Sequence, residues 1–259
     1  MSELFALRGK LSDKTNLVLL GAGLVFILIA WTVGSLLLGN SLLPSPLAVM
    51  QSIPDLHFKD ALIRNLGYSM YLNVMGYLEA VAICVPLGFA IGLFPAFKGM
   101  FSRPVDAFRF VPLTAVTGLF IAWFGIDNMM KIQFLAFGII VYLLPLVVQR
   151  VQDVAEVYQQ TAYTLGASKW QTIKSVFIPG VASKLIDDIK VIVAISWTYI
   201  IVAEMLNKSG GIGGLIYTAS RQGRIDKVFA LLFVIILVGF IQDKLFTYMD
   251  KKLFPYKHL

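Results

Sequence analysis

The chain has 259 residues, of which 58% are hydrophobic and only 14% are charged, and its formal net charge is +7. A soluble domain carries about 25% charged residues, so a soluble fold of this length could not cover its surface with so few. The composition therefore predicts a polytopic membrane protein and argues against a secreted protein, a nucleic-acid-binding protein or a soluble enzyme. Because the apolar residues form long runs, we expect a helical bundle and not a barrel.

Six apolar segments predict six transmembrane helices. Residues 17–38 contain no charged residue, and a helix of that length, at ~1.5 Å per residue, crosses the ~30 Å of membrane hydrocarbon. The residues just after Arg64 are expected at the membrane surface, because the apolar stretch there exceeds one span. The other spans are predicted at 71–94, 110–126, 132–149, 185–206 and 228–248.

The basic residues are distributed unevenly around these spans. If the N-terminus is cytoplasmic, 15 of the 22 Lys and Arg residues lie in cytoplasmic segments, where they would face anionic lipid. The external segment 207–227, which holds four basic residues, fits this orientation least well. Six spans then place both termini in the cytoplasm.

The reactive side chains are few and scattered. Cys84 is the only cysteine, and His57 and His258 lie far apart in the sequence. We therefore expect no disulfide, no metal site and no catalytic residue in this chain. No G-x-x-x-x-G-K-[ST] sequence occurs either, so we expect that the chain does not hydrolyse ATP.

Residues 150–184 form a long, partly polar loop between the fourth and fifth spans, and two short amphipathic helices are predicted on either side of Gly166. Their apolar faces are Tyr158, Ala162 and Leu165 in the first, and Trp170, Ile173 and Phe177 in the second. Glycine makes a turn with positive φ at residue 166 easy, and Pro179 with Gly180 is expected to end the second helix. Periodicity alone leaves two interpretations open: a hairpin lying on the bilayer, or a rigid projection that docks into another protein.

The sequence of this loop resembles a known motif. Residues 160–166 read Gln-Thr-Ala-Tyr-Thr-Leu-Gly, and nine residues later 176–179 read Val-Phe-Ile-Pro. This resembles the EAA loop of ABC-transporter permeases, in which Glu-Ala-Ala is followed by three residues, Gly, nine residues and Ile-x-Leu-Pro. Gln160 and Thr161 replace the Glu and the first Ala. The identical positions are Ala162, Gly166 and Pro179.

Further segments, in the same order and at fitting spacings, resemble the nitrate, sulfonate, taurine and bicarbonate importer branch of these permeases. They are Leu-Pro-Ser-Pro at 43–46, Trp-Phe-Gly-Ile at 123–126 with Lys131 after it, Leu-Gly-Ala-Ser at 165–168, Ala-Glu-Met-Leu at 203–206 and Ser-Gly-Gly-Ile-Gly at 209–213. The similarity covers about residues 42–257.

The resemblance implies the all-α fold of a type I (MetI-like) ABC importer permease, with six transmembrane helices and a cytoplasmic coupling helix between spans four and five. It implies a bacterial inner-membrane protein that pairs with a second, here identical, permease copy, two ATPase subunits and an external substrate-binding protein. ATP and Mg²⁺ would be bound by the ATPases, no cofactor by this chain, and nucleic acid is not an expected partner. The residues implied in ATPase contact are Gln160, Thr161, Ala162, Leu165, Gly166, Ala167, Ser168, Lys169, Trp170 and Pro179.

Polar residues within the spans are candidates for a translocation path of a small polar or anionic solute. These candidates are Thr114, Thr117, Ser196, Thr198 and Glu204. Hydrogen bonding between helices is the usual alternative explanation for the hydroxyl groups. A charge within a span costs about 2.5–3.5 kcal/mol, so Glu79 and Glu204 must face protein or water. For Glu204 a packing role and a place in the path are both open, and Glu79 receives no assignment.

Two other functions compete with the importer permease. An ion-coupled secondary transporter or channel would use Glu79 or Glu204 as a proton site. A non-transporting membrane scaffold would use the loop 150–184 to recruit a soluble partner. The order and spacing of the motifs favour the permease, and they leave the solute open among nitrate, sulfonates, taurine, bicarbonate and pyrimidine-type precursors.

Overall fold

The chain is helical throughout in a computed structural model that describes residues 11–207 and 210–257, and these ranges contain no strand. Many of the helices begin or end beside a proline or glycine, the residues that most readily interrupt a helix. In chain order the helices are α1 (Asp13–Leu38), α2 (Pro46–Phe58), α3 (Leu62–Leu93), α4 (Pro95–Phe108), α5 (Leu113–Phe124), α6 (Asn128–Gln152), α7 (Glu156–Thr164), α8 (Lys169–Thr172), α9 (Ile178–Asn207), α10 (Gly211–Arg221) and α11 (Ile225–Leu253).

Five of these helices are long and apolar enough to cross a membrane: α1, α3, α6, the continuous helix from α8 through α9, and α11. The pair α4 and α5 is a sixth candidate if it forms one broken span, although the two helices are bent by 103°. Five or six crossings agree with the all-α polytopic bundle that the composition predicts.

The region predicted as the third span, 110–126, differs from a straight crossing helix. Its helix α5 has only 12 residues, which is about 18 Å and short of the ~20 residues that a span needs. Pro112 is the physical reason, because its ring disfavours the helical conformation at Val111 and removes an amide donor. The chain therefore turns sharply here, and Arg109 lies in the turn between α4 and α5.

The second predicted span also differs in its bounds. It was expected at 71–94, with the preceding residues at the membrane surface, whereas α3 begins at Leu62 and is continuous to Leu93. The break that precedes it falls at Ala61, which has a positive φ of 51°.

The sequence suggested that Pro179 ends a helix before the fifth span. The structure shows instead that the helix continues through this residue. The helix runs from α8 into α9 through a π-helical turn at Ile173–Phe177. In this turn the amide of Ile178 donates to the carbonyl of Ile173, five residues back. The hydrogen-bond ladder has thus already shifted at the point where proline lacks its donor, so the helix can continue. As a consequence, α8 is joined directly to α9.

Helices α3, α6 and α9 form the centre of the bundle. Their buried apolar side chains make one cluster, which includes Leu72, Cys84, Ile139, Val147 and Ile200. α3 and α6 approach closely because Gly88 has no side chain, and a Cβ there would lie 2.4 Å from Val147 Cγ1. Small residues at such crossings are typical of packed membrane helices.

A bulky residue at Gly88 should force α3 away from α6. We expect Gly88→Leu to destabilise the purified protein by about 1–3 kcal/mol, the usual cost of overpacking, and to lower its thermal unfolding temperature. Gly67→Leu is the matched control, because it lies on the same helix with no atom within 4 Å of its Cβ position. Equal shifts in the two variants would contradict close packing at Gly88.

Candidate functional site

Helices α7 and α8, with the turn at Gly166 between them, form a helical hairpin, residues 156–172. The amide of Gly166 donates to the carbonyl of Tyr163 at 2.9 Å, and the amide of Ala167 donates to that of Ala162 at 3.0 Å. This is the Schellman arrangement, and Gly166 has the φ of +80° that it requires, which a residue with a Cβ adopts only under strain. The turn predicted at Gly166 is confirmed.

The second helix of the hairpin begins with a capping box. Ser168 Oγ accepts from the amide of Gln171 at 3.3 Å, and Gln171 Oε1 accepts from the amide of Ser168 at 2.7 Å. These bonds satisfy amides that a helix start leaves without partners. The shape of the hairpin tip is therefore fixed by local bonds within residues 162–171.

The hairpin presents large apolar side chains at its surface. Leu165 is 82% exposed and Trp170 is 68% exposed, and Tyr158 is exposed beside them. Pro179 of α9 lies next to the hairpin, since it lines a cavity of about 720 Å³ together with Tyr158, Ala162 and Leu165. These exposed apolar side chains at the end of the bundle are available for contact with a protein or with the bilayer surface.

Most of the ten residues predicted to contact an ATPase are accessible. Ala162 and Ala167 are half-buried, and the other eight are exposed: Gln160, Thr161, Leu165, Gly166, Ser168, Lys169, Trp170 and Pro179. All of them lie on the hairpin except Pro179, which adjoins it. The structure thus brings the predicted contact residues to one end of the bundle.

An ion pair that the sequence analysis missed holds the base of the hairpin. Arg150 of α6 donates from Nε and Nη2 to the two carboxylate oxygens of Asp188 in α9, at 2.7 and 2.8 Å. Asp188 is buried, and a bidentate arginine–carboxylate pair is among the strongest side-chain interactions. The signal in the sequence was a basic residue at the end of one span and an acidic one at the start of the next.

Breaking this pair should destabilise the bundle. We expect Arg150→Gln to cost about 2–3 kcal/mol, because it leaves the buried Asp188 carboxylate without its partner. Asp188→Asn should cost less, because Arg150 keeps its 3.1 Å pair with Asp153. The pair Lys59–Asp55 at the surface, with a 2.8 Å contact, is the control, and Lys59→Gln should lower the unfolding temperature far less, because solvent screens such a pair. A double-mutant cycle followed by thermal unfolding measures the coupling, and additive costs at residues 150 and 188 would contradict it.

A groove runs along α6 and α9 beside the α4–α5 turn. It consists of a smaller cavity of about 270 Å³ and a larger one of about 520 Å³, and Arg109 and Tyr142 line both. Thr114 of α5 and Thr198 of α9 both line the smaller cavity. Two of the residues predicted for a translocation path therefore share one cavity.

Two other residues predicted for the path use their hydroxyls elsewhere. Ser196 is fully buried and donates to the carbonyl of Val193 at 2.7 Å, with Asn73 Oδ1 of α3 at 3.1 Å. Thr117 donates to the carbonyl of Thr114 at 3.0 Å. The bond from Ser196 to Asn73 joins two helices, whereas the bonds to Val193 and Thr114 lie within one helix, and both kinds are common for hydroxyl groups in spans.

Glu204 is fully buried where α9 meets α3 and α10. Ser69 Oγ donates to Oε1 at 2.6 Å, and the amide of Gly213 donates to Oε2 at 2.8 Å. A Cβ at Gly211 would lie 2.1 Å from Oε1, so glycine allows the start of α10 to approach the carboxylate. Glu204 lies outside the lining of both groove cavities and ties α10 to the bundle.

The other charges within the bundle also have protein partners. Lys131, which the sequence analysis noted only within a motif, is fully buried, and its Nζ donates to the hydroxyl of Tyr68 at 3.2 Å. It also interacts electrostatically with Glu204. Glu79 is half-buried and accepts from Gln133 Nε2 at 2.8 Å. Contacts inside the protein thus offset the cost of placing these charges in a span.

Comparisons with known proteins give a consistent result. The family described as "Binding-protein-dependent transport system inner membrane component" matches residues 84–255. The chain is 27% identical over 255 residues to the taurine transport system permease protein TauC of Escherichia coli K12, covering 96% of this chain and 92% of that one. It is 26% identical over 235 residues to the putative aliphatic sulfonates transport permease protein SsuC of Bacillus subtilis 168, covering 90% and 85%. Among solved structures, an inward-facing MetNI methionine ABC transporter chain has a TM-score of 0.61 at 17% identity, covering 74% of this chain and 94% of that one, which shows a common fold.

Proposed function

The chain belongs to the family of inner-membrane components of binding-protein-dependent transport systems, and we propose that it imports a small solute that carries a sulfonate group. It is a multi-pass membrane protein and a permease subunit of an ABC importer. The names of two relatives state taurine and aliphatic sulfonates, and these solutes are the basis for the proposed class.

The observation that carries the coupling role is the exposed apolar surface of the hairpin 156–172. Leu165 and Trp170 are available for burial against a partner, and the hairpin is held in shape by its own caps. We assign this surface to contact with an ATPase subunit, which binds and hydrolyses ATP with Mg²⁺. The chain itself then has no catalytic role.

The groove along α6 and α9 supports the proposed translocation path. It is open on one side in a single chain, and a second identical copy facing it would close it into a passage. Two copies would carry two hairpins and bind two ATPase subunits. With the N- and C-termini in the cytoplasm, the hairpin lies on the ATPase side, and an external binding protein delivers solute at the opposite end.

Reconstitution tests this function. The permease, purified with its ATPase and placed in proteoliposomes that carry ATP on the ATPase side, should take up radiolabelled taurine or methanesulfonate when a binding protein is added outside. Uptake should stop when a non-hydrolysable ATP analogue replaces ATP. Uptake driven by a pH gradient without the ATPase would contradict the proposal and support a secondary transporter, and ATPase binding without any solute flux would support a scaffold.

A further inference from the structure

Helix α4 carries a polar stripe that faces the larger cavity of the groove. Lys98, Ser102 and Asp106 are four residues apart and therefore share one helix face, and all three line the cavity with Arg109. Met100, on the opposite face, is 66% exposed. α4 is thus an amphipathic wall with its polar side toward the groove.

The stripe offers hydrogen-bond donors that the protein does not use. Ser102 Oγ is buried and has no hydrogen-bond partner within the described residues. Lys98 forms no ion pair within residues 11–207 and 210–257. Arg109, in contrast, is engaged by Asp106, since its Nε donates to the Asp106 carbonyl at 3.0 Å and its guanidinium pairs with the Asp106 carboxylate.

The opposite wall of the cavity adds neutral donors. Gln149 and Gln152 of α6 line it, and each amide can donate two hydrogen bonds. The lining contains two cationic residues, Lys98 and Arg109, and one anionic residue, Asp106, so the cavity carries one net positive charge. Gln152 ends α6, so the cavity lies at the end of the groove next to the base of the hairpin.

We propose that this cavity is a low-affinity site for the sulfonate or similar oxyanion group of the solute, with Lys98 and Ser102 as the recognition residues. The inference rests on the proposed function and specifies where the anion binds as it leaves the groove. Asp106 keeps Arg109 occupied, which limits the positive charge and allows the anion to be released.

A single reactive cysteine in the cavity tests the inference directly. Ser102→Cys in a Cys84→Ala background is reacted, in the assembled transporter, with an anionic sulfonatoethyl and a cationic trimethylammonioethyl methanethiosulfonate. Each rate is divided by the rate with a small thiol in solution. We expect the anionic reagent to be favoured. In Lys98→Gln the normalised rate of the anionic reagent should fall about fivefold, as the loss of one unit charge at close range in a water-filled site predicts, and that of the cationic reagent should rise.

One further variant should change the preference in the opposite direction, and another serves as a control. Asp106→Asn should increase the preference for the anionic reagent, and Arg103→Gln, an exposed charge outside the cavity lining, should leave it nearly unchanged. In uptake assays with Ser102 restored, Lys98→Gln should slow transport severalfold, and Lys98→Arg should retain it. A preference that is absent, or that does not respond to Lys98→Gln, overturns the anion site even if ATP-driven uptake is intact. Loss of ATP dependence in the unsubstituted transporter would instead overturn the proposed function.

Discussion

Replacing Gly166 with valine should strongly reduce ATP-driven uptake while leaving the protein inserted in the membrane. The glycine has a φ of +80°, and a β-branched residue there costs about 1–3 kcal/mol or unwinds the turn. Either outcome displaces Leu165 and Trp170 from the surface that we assign to the ATPase. Because about 1.4 kcal/mol is a tenfold change in affinity, this cost predicts a loss of ATPase affinity of about 5-fold to 150-fold, with a matching loss of ATP-dependent uptake in proteoliposomes.

Gly223→Val is the matched control for this result. Gly223 also has a positive φ, of +69°, and no atom lies within 4 Å of its Cβ position, but it is in the turn between α10 and α11. The control should show similar backbone strain with ATPase binding retained. If Gly166→Val transports as well as Gly223→Val, the hairpin is not the coupling element.

Replacing Glu204 with alanine should have the largest effect on stability. The change leaves the Ser69 hydroxyl and the Gly213 amide without their acceptor and removes the negative charge that attracts Lys131. Breaking a buried charged contact of this kind costs about 3–5 kcal/mol. We expect little folded Glu204→Ala protein in detergent, as measured by thermal unfolding and size-exclusion chromatography.

Glu204→Gln separates packing from proton transport. The amide keeps one oxygen acceptor, so the variant should fold better than Glu204→Ala and should retain ATP-driven uptake. Glu79→Ala is the control for stability, because Glu79 is half-buried with a single contact to Gln133, and about 1 kcal/mol is expected. Folded Glu204→Gln protein that has lost all transport would contradict a packing role.

The features that the sequence predicted well depend on local rules. The helical bundle follows from long apolar runs, and the hairpin follows from helical periodicity on either side of Gly166. Such features need no knowledge of how distant segments pack.

The features that could not be predicted from the sequence depend on contacts between distant segments. The Arg150–Asp188 pair joins residues 38 positions apart, and the Ser69–Glu204 bond joins residues 135 positions apart. Two expectations that involve prolines were wrong. Pro112 interrupts the helix that was predicted to cross the membrane, whereas a π-helical turn accommodates Pro179, which was predicted to end a helix. Neither outcome follows from the proline alone.

The joined helices suggest how the hairpin acts in the proposed function. α8 continues into α9 without a loop, and Arg150 of α6 binds Asp188 within that continuous helix. A displacement of the hairpin by an ATPase would therefore be transmitted to α9, which lines the groove at Thr198. Rigid-body movement of packed elements of this kind is a common form of conformational switching.

Site-specific cross-linking tests whether the hairpin contacts the ATPase subunit. In a Cys84→Ala background, Leu165→Cys and Trp170→Cys are each reacted with a bifunctional thiol reagent in the complete transporter, with Leu237→Cys, an exposed position in the middle of α11, as the control. The account predicts a covalent product with the ATPase subunit from residues 165 and 170 and none from residue 237. Absence of that product from both hairpin positions, in a complex that still transports solute with ATP, would contradict the account.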